Sequence, residues 1–451
     1  MTWGRFGRRP ADRHMTKETN TQAALRSHPS KLFVEVTTYC NLKCAMCVKH
    51  SHAACLPEGD LSRAHFARLE EGMPGLKAMV LSGIGEPLLH PDLEYFIGRA
   101  RDLMPAEAWV GFQTNGFLMS GRRADSIIGA GAGRICVSVD ASSAGTFKAV
   151  RGVGDPSVTA RALSELIRAA REQARDDFMP GIEFVAMREN IEELPAVMKW
   201  GAKLGIRFAI ITQLLPYEAS MAGESAFDTN TDSALAFYEK WRRRARAEGI
   251  DMSRYFEIFM KFIRSDEEDR IVRHIEAMVA DAAAHGISLN LQALIGRDEE
   301  MLAAVEKALE EAGRIAIENG IELTLPGTAP RSARRCDFVE EGSAFVSWDG
   351  KVHPCHFLWH RFQCYLGGVA NSVKPKVFGD LESDGILAIW NSEEFRAFRE
   401  NVIRYNFPFC YDCSLALCDL ARDEESEQDC FITSVPCASC LWCTGLFHCL
   451  R

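Results

Sequence analysis

From Lys31 onward the chain alternates short apolar, β-branched runs with segments of helical spacing, and this rhythm constrains the fold more than any other feature. The runs fall at Leu32–Thr37, Ala78–Ser82, Trp109–Thr114, Arg134–Asp140, Ile182–Met187 and Arg207–Thr212. Between them, apolar residues recur every three or four positions in Arg63–Glu71, Asp92–Leu103, Gly121–Ala130, Pro156–Arg175 and Ile191–Leu204. Six strands, each followed by a helix, predict an α/β protein with a parallel sheet and right-handed crossovers, curved into a full or partial barrel. Such an architecture places its chemistry at the carboxyl ends of the strands.

The flanking regions differ. Residues 1–30 hold Arg5, Arg8, Arg9 and Arg13 without apolar periodicity and read as a mobile tail, with Met15 as an alternative start. The barrel is expected over 31–225. Residues 226–330 are helical and charged (Trp241–Glu248, Ile271–His285, Glu300–Asn319) and read as a helical bridge covering the barrel. After Leu325-Pro326-Gly327 come short aromatic strands and Cys-rich loops, read as a metal-held domain over 331–451.

At 451 residues the chain has room for roughly three domain-sized units at about 150 residues each. No apolar run approaches the ~18 residues of a membrane span and no secretory signal is visible, so a soluble cytoplasmic protein without a membrane partner is expected. Fifty-two basic against 62 acidic residues, net charge -10, argue against nucleic acid as a partner.

The 16 cysteines are unevenly placed: five precede residue 150, none lies between 137 and 335, and eleven fall between Cys336 and Cys449. In a reducing compartment such clusters read as metal ligands rather than disulfides. Cys40, Cys44 and Cys47 follow the first strand, where a barrel site would lie. Three thiolates from one loop leave one iron of a 4Fe–4S cube open to a substrate or cofactor. The alternative is a zinc knuckle completed by His50 or His52.

This loop resembles the cluster motif of radical S-adenosylmethionine (SAM) enzymes, and further motifs fall at successive strand ends. Ser82-Gly83-Ile84-Gly85-Glu86-Pro87 resembles the family's Gly-Gly-Glu-Pro segment, with Ile84 inserted between the glycines; in the family it holds the methionine amino group. Gln113-Thr114-Asn115-Gly116 resembles its Thr-Asn-Gly turn. The resemblance implies that Ser138 and Asp140 face the ribose or the methionine end and that Arg151 suits the carboxylate. Asn190 and Gln213, near the ends of the fifth and sixth strands, are further cofactor candidates. It also implies reductive cleavage of SAM to methionine and a 5′-deoxyadenosyl radical that abstracts a hydrogen atom, the protein positioning the reactants and excluding water and oxygen.

The C-terminal segment reads Cys336-x13-Gly350-x4-Cys355, Cys364, Cys410-x2-Cys413-x4-Cys418, Cys430, and Cys437-x2-Cys440-x2-Cys443-x5-Cys449. Its opening resembles the SPASM domain, which carries up to two auxiliary 4Fe–4S clusters. Two clusters need eight thiolates, and eleven are present. Cys336, Cys355, Cys410, Cys413 and Cys418 match the domain's usual order, although four residues rather than five separate Cys413 from Cys418. Cys430, Cys437, Cys440, Cys443 and Cys449 are the remaining candidates, and which of them complete the clusters is open. Cys364 reads as a spare thiol, Cys55 and Cys136 as structural. Zinc is the rival metal, with His353, His356, His360 and His448 at hand. His356, next to Cys355, is a candidate general base.

Arg335–Glu340, Trp348–Cys355 and Cys440–Cys443 look most like a subgroup predicted to mature metalloenzymes, including tungsten-cofactor oxidoreductases. The expected function is therefore a radical SAM/SPASM maturase acting on a peptide, a protein or a metalloenzyme, with an electron donor such as ferredoxin or flavodoxin. The alternatives are a radical SAM dehydrogenase or rearrangement enzyme acting on a free small molecule, and a non-catalytic iron–sulfur or zinc protein.

Overall fold

A computed structural model describes residues 21–51, 56–366, 369–410, 430, 437–438 and 440–450. All six expected strands form: β1 (Lys31–Val34), β2 (Ala78–Val80), β3 (Trp109–Thr114), β4 (Arg134–Ser138), β5 (Met179–Ala186) and β6 (Phe208–Gln213). Each pairs in parallel with the next in chain order, as right-handed crossovers of alternating strands and helices require.

The two strand faces have separate tasks. Leu32, Met79, Val110, Phe112, Ile135, Ile182, Phe184 and Ile211 join helix residues such as Phe96, Ile127, Leu166 and Val197 in the main core. The alternate residues Phe33, Val80, Cys136, Phe208 and Ile210 form a second cluster with Phe345 and Leu450. The C-terminal Leu450 thus fills the inner face of the sheet.

The sheet extends further than the rhythm foretold. β7 (Glu322–Thr324) adds parallel to β6, after a long helical connection. On the other edge β8 (Ser343–Val346) pairs in parallel with β1, and β9 (Lys351–His353) turns back antiparallel on β8. β10 (Phe362–Leu366) and β11 (Val369–Val373) form a separate antiparallel hairpin, and β12 (Gly379–Asp380) edges β9. The Cys-rich segment therefore shares a sheet with the barrel, and Phe357, Phe362, Trp390 and Phe395 belong to the same core as Leu32 and Phe96.

Between β6 and β7 lie the helices Asp232–Ala247, Asp266–Ala284, Leu291–Ile295 and Glu299–Asn319. The first three enclose a small core of their own around Trp241, Ile275 and Met278. Two local expectations need correction. The predicted helix Arg63–Glu71 ends at Ala67, and a 3-10 turn over Glu70–Gly75, with Pro74 inside it, follows. Residues 21–30, expected within a mobile tail, are fixed: Arg399 donates to the Ala24 carbonyl at 2.8 Å and the Trp390 indole to that of Arg26 at 2.9 Å. No described helix is long and apolar enough to cross a membrane.

Candidate SAM and cluster site

The loop carrying Cys40, Cys44 and Cys47 leaves the carboxyl end of β1 and is braced by the next three strand ends. From the β2 end, the Glu86 amide donates to the Tyr39 carbonyl at 2.8 Å. This approach is so close that a Cβ on Gly85 would stand 2.4 Å from the Thr37 oxygen and 2.6 Å from that of Tyr39. From the β3 end, Asn115 Nδ2 donates to Asn41 Oδ1 at 2.8 Å and lies 4.0 Å from Cys40 Sγ. Gly116 completes that turn at φ +79, a left-handed backbone that glycine adopts without strain.

The β4 end supplies the charges. Ser143 caps the helix Ala144–Arg151, whose Val150 carbonyl accepts from the Ala45 amide at 3.0 Å. Arg151 thereby reaches the loop: Nη1 lies 3.9 Å from Cys44 Sγ, Nη2 pairs with Asp140 Oδ2, and Nε is buried without a partner among the described residues. Asp140, fully buried, also accepts from the Val185 amide at 2.9 Å. Although burial opposes its charge, Asp140 and Cys44 hold the Arg151 guanidinium protonated.

Glu86 is buried, and its carboxylate accepts from the Thr114 hydroxyl at 2.6 Å, the Asn115 amide at 2.7 Å and the Leu88 amide at 3.1 Å. Burial still raises its pKa. Desolvation likewise raises the thiols of Cys40 and Cys44, and that of Cys47 to about 11. Thiols so placed are proton-bound unless a metal centre supplies the compensating positive charge.

Gly83 packs onto Glu35, the residue just past β1, where a Cβ would meet Glu35 Cγ at 2.3 Å. Pro87 opens the short turn Pro87–Leu89 behind Glu86. Ser138 stands in register with Glu183 of β5, whose Oε2 accepts from Gln113 Nε2 at 2.7 Å. Burial and the neighbouring Asp140 raise Glu183 to about 7. Glu35 and Glu183 escaped the sequence reading; the available signal was an acidic residue within an otherwise apolar run, at the end of the first and inside the fifth.

Three candidates have other surroundings. Asn190 is fully buried, its amide donating to the carbonyls of Asp140 at 3.0 Å and Val185 at 2.8 Å while Oδ1 accepts from the Met187 amide, so it shapes the loop behind Asp140. Gln213 donates to the Gly327 carbonyl at 3.0 Å, tying β6 to the segment after β7. His356 lines a cavity with Lys31, Phe33 and Ser343, at the amino ends of β1 and β8 and opposite the three-thiol loop. Its Nε2 lies 3.2 Å from Cys449 Sγ, and burial lowers its pKa to about 3. A general-base role toward a substrate over the SAM loop does not fit that position.

Among the remaining cysteines, Cys440 and Cys443 are buried in the main core, and the partly buried Cys336, Cys355 and Cys437 pack against that core. Cys136 is buried on β4 and Cys364 on β10. Cys410 and Cys430 are described, Cys410 with its amide donating to the Ala438 carbonyl at 3.1 Å. Cys55, Cys413 and Cys418, and also His52, lie outside the described residues.

The radical SAM superfamily model matches residues 34–201, and the model of the SPASM iron–sulfur cluster-binding domain matches residues 336–414, together more than half of the chain. The chain belongs to the radical SAM superfamily and carries a SPASM domain. It is 24% identical over 422 residues to the tungsten-containing aldehyde ferredoxin oxidoreductase cofactor-modifying protein of Pyrococcus furiosus, covering 93% of this chain and 96% of that one. It is 27% identical over 383 residues to the AdoMet-dependent heme synthase of Methanosarcina barkeri, covering 84% and 86%. Among solved structures, Streptococcus suis SuiB bound to S-adenosylmethionine shares the fold at TM-score 0.50 and 12% identity, over 91% of this chain and 79% of that one. Radical SAM membership makes the chain an enzyme whose cofactors are SAM and a 4Fe–4S cluster, with auxiliary iron–sulfur clusters in the SPASM domain. The residues present fit that load: three clustered thiols, an unpartnered buried guanidinium nitrogen, and a glycine cradle that any Cβ would fill.

Proposed function

We propose that this radical SAM/SPASM enzyme is a maturase that modifies a peptide, a protein or a protein-bound metal cofactor. In this reading Cys40, Cys44 and Cys47 hold the SAM-binding cluster. The bound cofactors supply reductive cleavage of the sulfonium and hydrogen-atom abstraction. The chain's own residues bind and orient. The observation that carries the reading is the single brace formed around the three-thiol loop by Glu86, Asn115, Asp140 and Arg151, drawn from three successive strand ends.

Glu86 suits the methionine ammonium, because a cation beside it would offset the burial that now raises its pKa. Arg151 suits the methionine carboxylate through its unpartnered Nε, while Asp140 fixes the guanidinium. Ser138 and Glu183 face the inner side of the sheet, where ribose hydroxyls would find acceptors. Leu450 and Phe345 fill the inner face among Phe33, Val80 and Phe208, so substrate would approach over the carboxyl ends. Residues 31–225 then serve as the SAM-binding barrel, 226–330 as its helical cover and 331–451 as the SPASM unit.

Support for a protein-bound substrate comes from the Pyrococcus relative, which is named as a cofactor-modifying protein and aligns along nearly the whole chain. The Methanosarcina relative, named as a heme synthase, supports a second reading in which the substrate is a free small molecule. A reduced ferredoxin or flavodoxin suits the role of electron donor.

The test is anaerobic reconstitution followed by iron analysis and SAM turnover. Roughly 8–12 Fe per chain, for two or three four-iron clusters, and release of 5′-deoxyadenosine are expected. Deuterium should pass into that product from a labelled peptide or metalloenzyme partner. Label passing only from small metabolites would move the assignment to the second reading, and iron-free protein with stoichiometric zinc would overturn both.

A further inference from the structure

We propose that Glu35 and His360 are positioning residues for SAM: His360, on a loop of the SPASM domain, holds the Glu35 carboxyl group, which in turn fixes the segment ending in Glu86. The role rests on the reading that this segment takes the methionine ammonium, and it adds a residue from outside the barrel to the SAM site.

Glu35 follows β1 directly, and its amide continues the ladder to β8 by donating to the Val346 carbonyl at 2.8 Å. Leu32, Val34 and Val36 belong to the main core, whereas Phe33 belongs to the second cluster. Side chains alternate along extended backbone, so Glu35 follows Phe33 onto the inner face. It is fully buried there, and a buried polar oxygen left unpaired is costly.

Both oxygens are engaged, from three separate segments. Oε1 accepts from the Ile84 amide at 3.0 Å, while Oε2 lies 3.0 Å from His360 Nε2 and accepts from the Trp348 amide at 3.4 Å. Ile84 lies in the part of the chain matched by the radical SAM model, Trp348 and His360 in the part matched by the SPASM model. One carboxyl group thus spans the two.

The contact with the glycine segment is close as well as polar. A Cβ on Gly83 would stand 2.6 Å from Glu35 Oε1, so the segment lies directly against the carboxyl group. Only Gly85 separates the bonded Ile84 from Glu86, whose own amide donates to the Tyr39 carbonyl of the cluster loop at 2.8 Å. Glu35 therefore sets where Glu86 stands. Without His360, Oε2 would keep only the longer contact to Trp348, and the carboxyl group could turn away from Ile84.

The experiment titrates SAM against the anaerobically reconstituted full chain and follows the electron paramagnetic resonance spectrum of the reduced cluster, with iron content measured on each sample. His360→Ala is expected to weaken SAM binding about tenfold at unchanged iron, and Glu35→Ala at least as much. Because His360 acts through Glu35, the double variant should bind no more weakly than Glu35→Ala alone. His360→Gln, which returns a donor to Oε2, should bind within about threefold of the unsubstituted chain. If Glu35→Ala folds poorly, the two His360 variants decide by themselves. Unchanged affinity in His360→Ala, iron lost together with affinity, losses that multiply in the double variant, or no rescue by glutamine overturns the proposal alone. Undiminished affinity in Glu86→Ala overturns the reading beneath it as well.

Discussion

Glu183 is the group in the site whose protonation the fold controls most visibly, and Glu183→Gln isolates it. The variant keeps an acceptor for Gln113 Nε2 and removes only the charge. Burial, reinforced by Asp140 and opposed by Arg151 and Gln113, raises the carboxyl from 4.5 to about 7. The folded protein therefore binds a proton that the unfolded chain has released between these two values, so stability falls as pH rises through that window and levels off above it. At about 1.36 kcal/mol per pKa unit, a shift from 4.5 to about 7 gives a ceiling near 3 kcal/mol, of which about 2.5 kcal/mol develops between pH 5 and pH 8. Urea unfolding of reconstituted wild type and variant under anaerobic conditions should show the variant gaining about that amount relative to wild type across the same interval. All other titrating groups are common to both proteins and cancel in the difference. Parallel stability profiles from pH 5 to pH 8 would refute the reasoning, because they would mean that Glu183 is ionised at no cost in the fold.

Two further outcomes follow from the brace. Arg151→Met leaves the fully buried Asp140 without its cation and should cost about 3–5 kcal/mol, whereas adding Asp140→Asn should recover most of that loss in folding but not in SAM affinity; denaturation and equilibrium SAM binding separate the two effects. Gly85→Ala should cost about 1–3 kcal/mol and weaken SAM binding at least tenfold, since the new methyl must push back the Thr37 and Tyr39 carbonyls at 2.4 and 2.6 Å; the perturbation of the reduced cluster's electron paramagnetic resonance spectrum by SAM measures it.

The barrel was legible because period-two and period-3.6 patterns alternate cleanly from Leu32 to Gln213, and because the motif residues sit one per strand end. What escaped was non-local. β7 and β8 are only three and four residues long, and their partners lie more than a hundred residues away, so nothing in Glu322–Thr324 or Ser343–Val346 announces the edge each strand will join. Asn190 shows what spacing leaves out: a polar residue near a strand end resembles a ligand-binding group, and in the fold its side-chain amide donates to the carbonyls of Asp140 and Val185. His356 stood next to a metal-binding motif in sequence, but β9, antiparallel to β8, carries the chain back and sets it at the amino ends of β1 and β8. Spacing gives neighbours along the chain, whereas strand direction decides which end of a sheet they reach.

That direction also couples the two metal-binding regions. β8 runs parallel to β1 in register from Lys31 opposite Ser343 to Val34 opposite Val346, and the Glu35 amide extends the ladder to the Val346 carbonyl at 2.8 Å. The thiol of Cys336 therefore lies near the amino ends of this pair, and the Cys40 loop at the carboxyl end. Glu35 is fully buried at the junction: Oε1 accepts from the Ile84 amide at 3.0 Å, inside the glycine segment, and Oε2 lies 3.0 Å from His360 Nε2, on the loop that follows Cys355. The inserted Ile84 acquires a purpose in this arrangement, because its amide carries the link between the SAM-facing segment and the SPASM loop. A buried carboxyl group with both oxygens engaged resists displacement, since either partner's departure leaves a polar oxygen unpaired in an apolar setting. Glu35 thus joins the loop of His360 to the glycine segment beside Glu86 through the hydrogen bonds of one side chain.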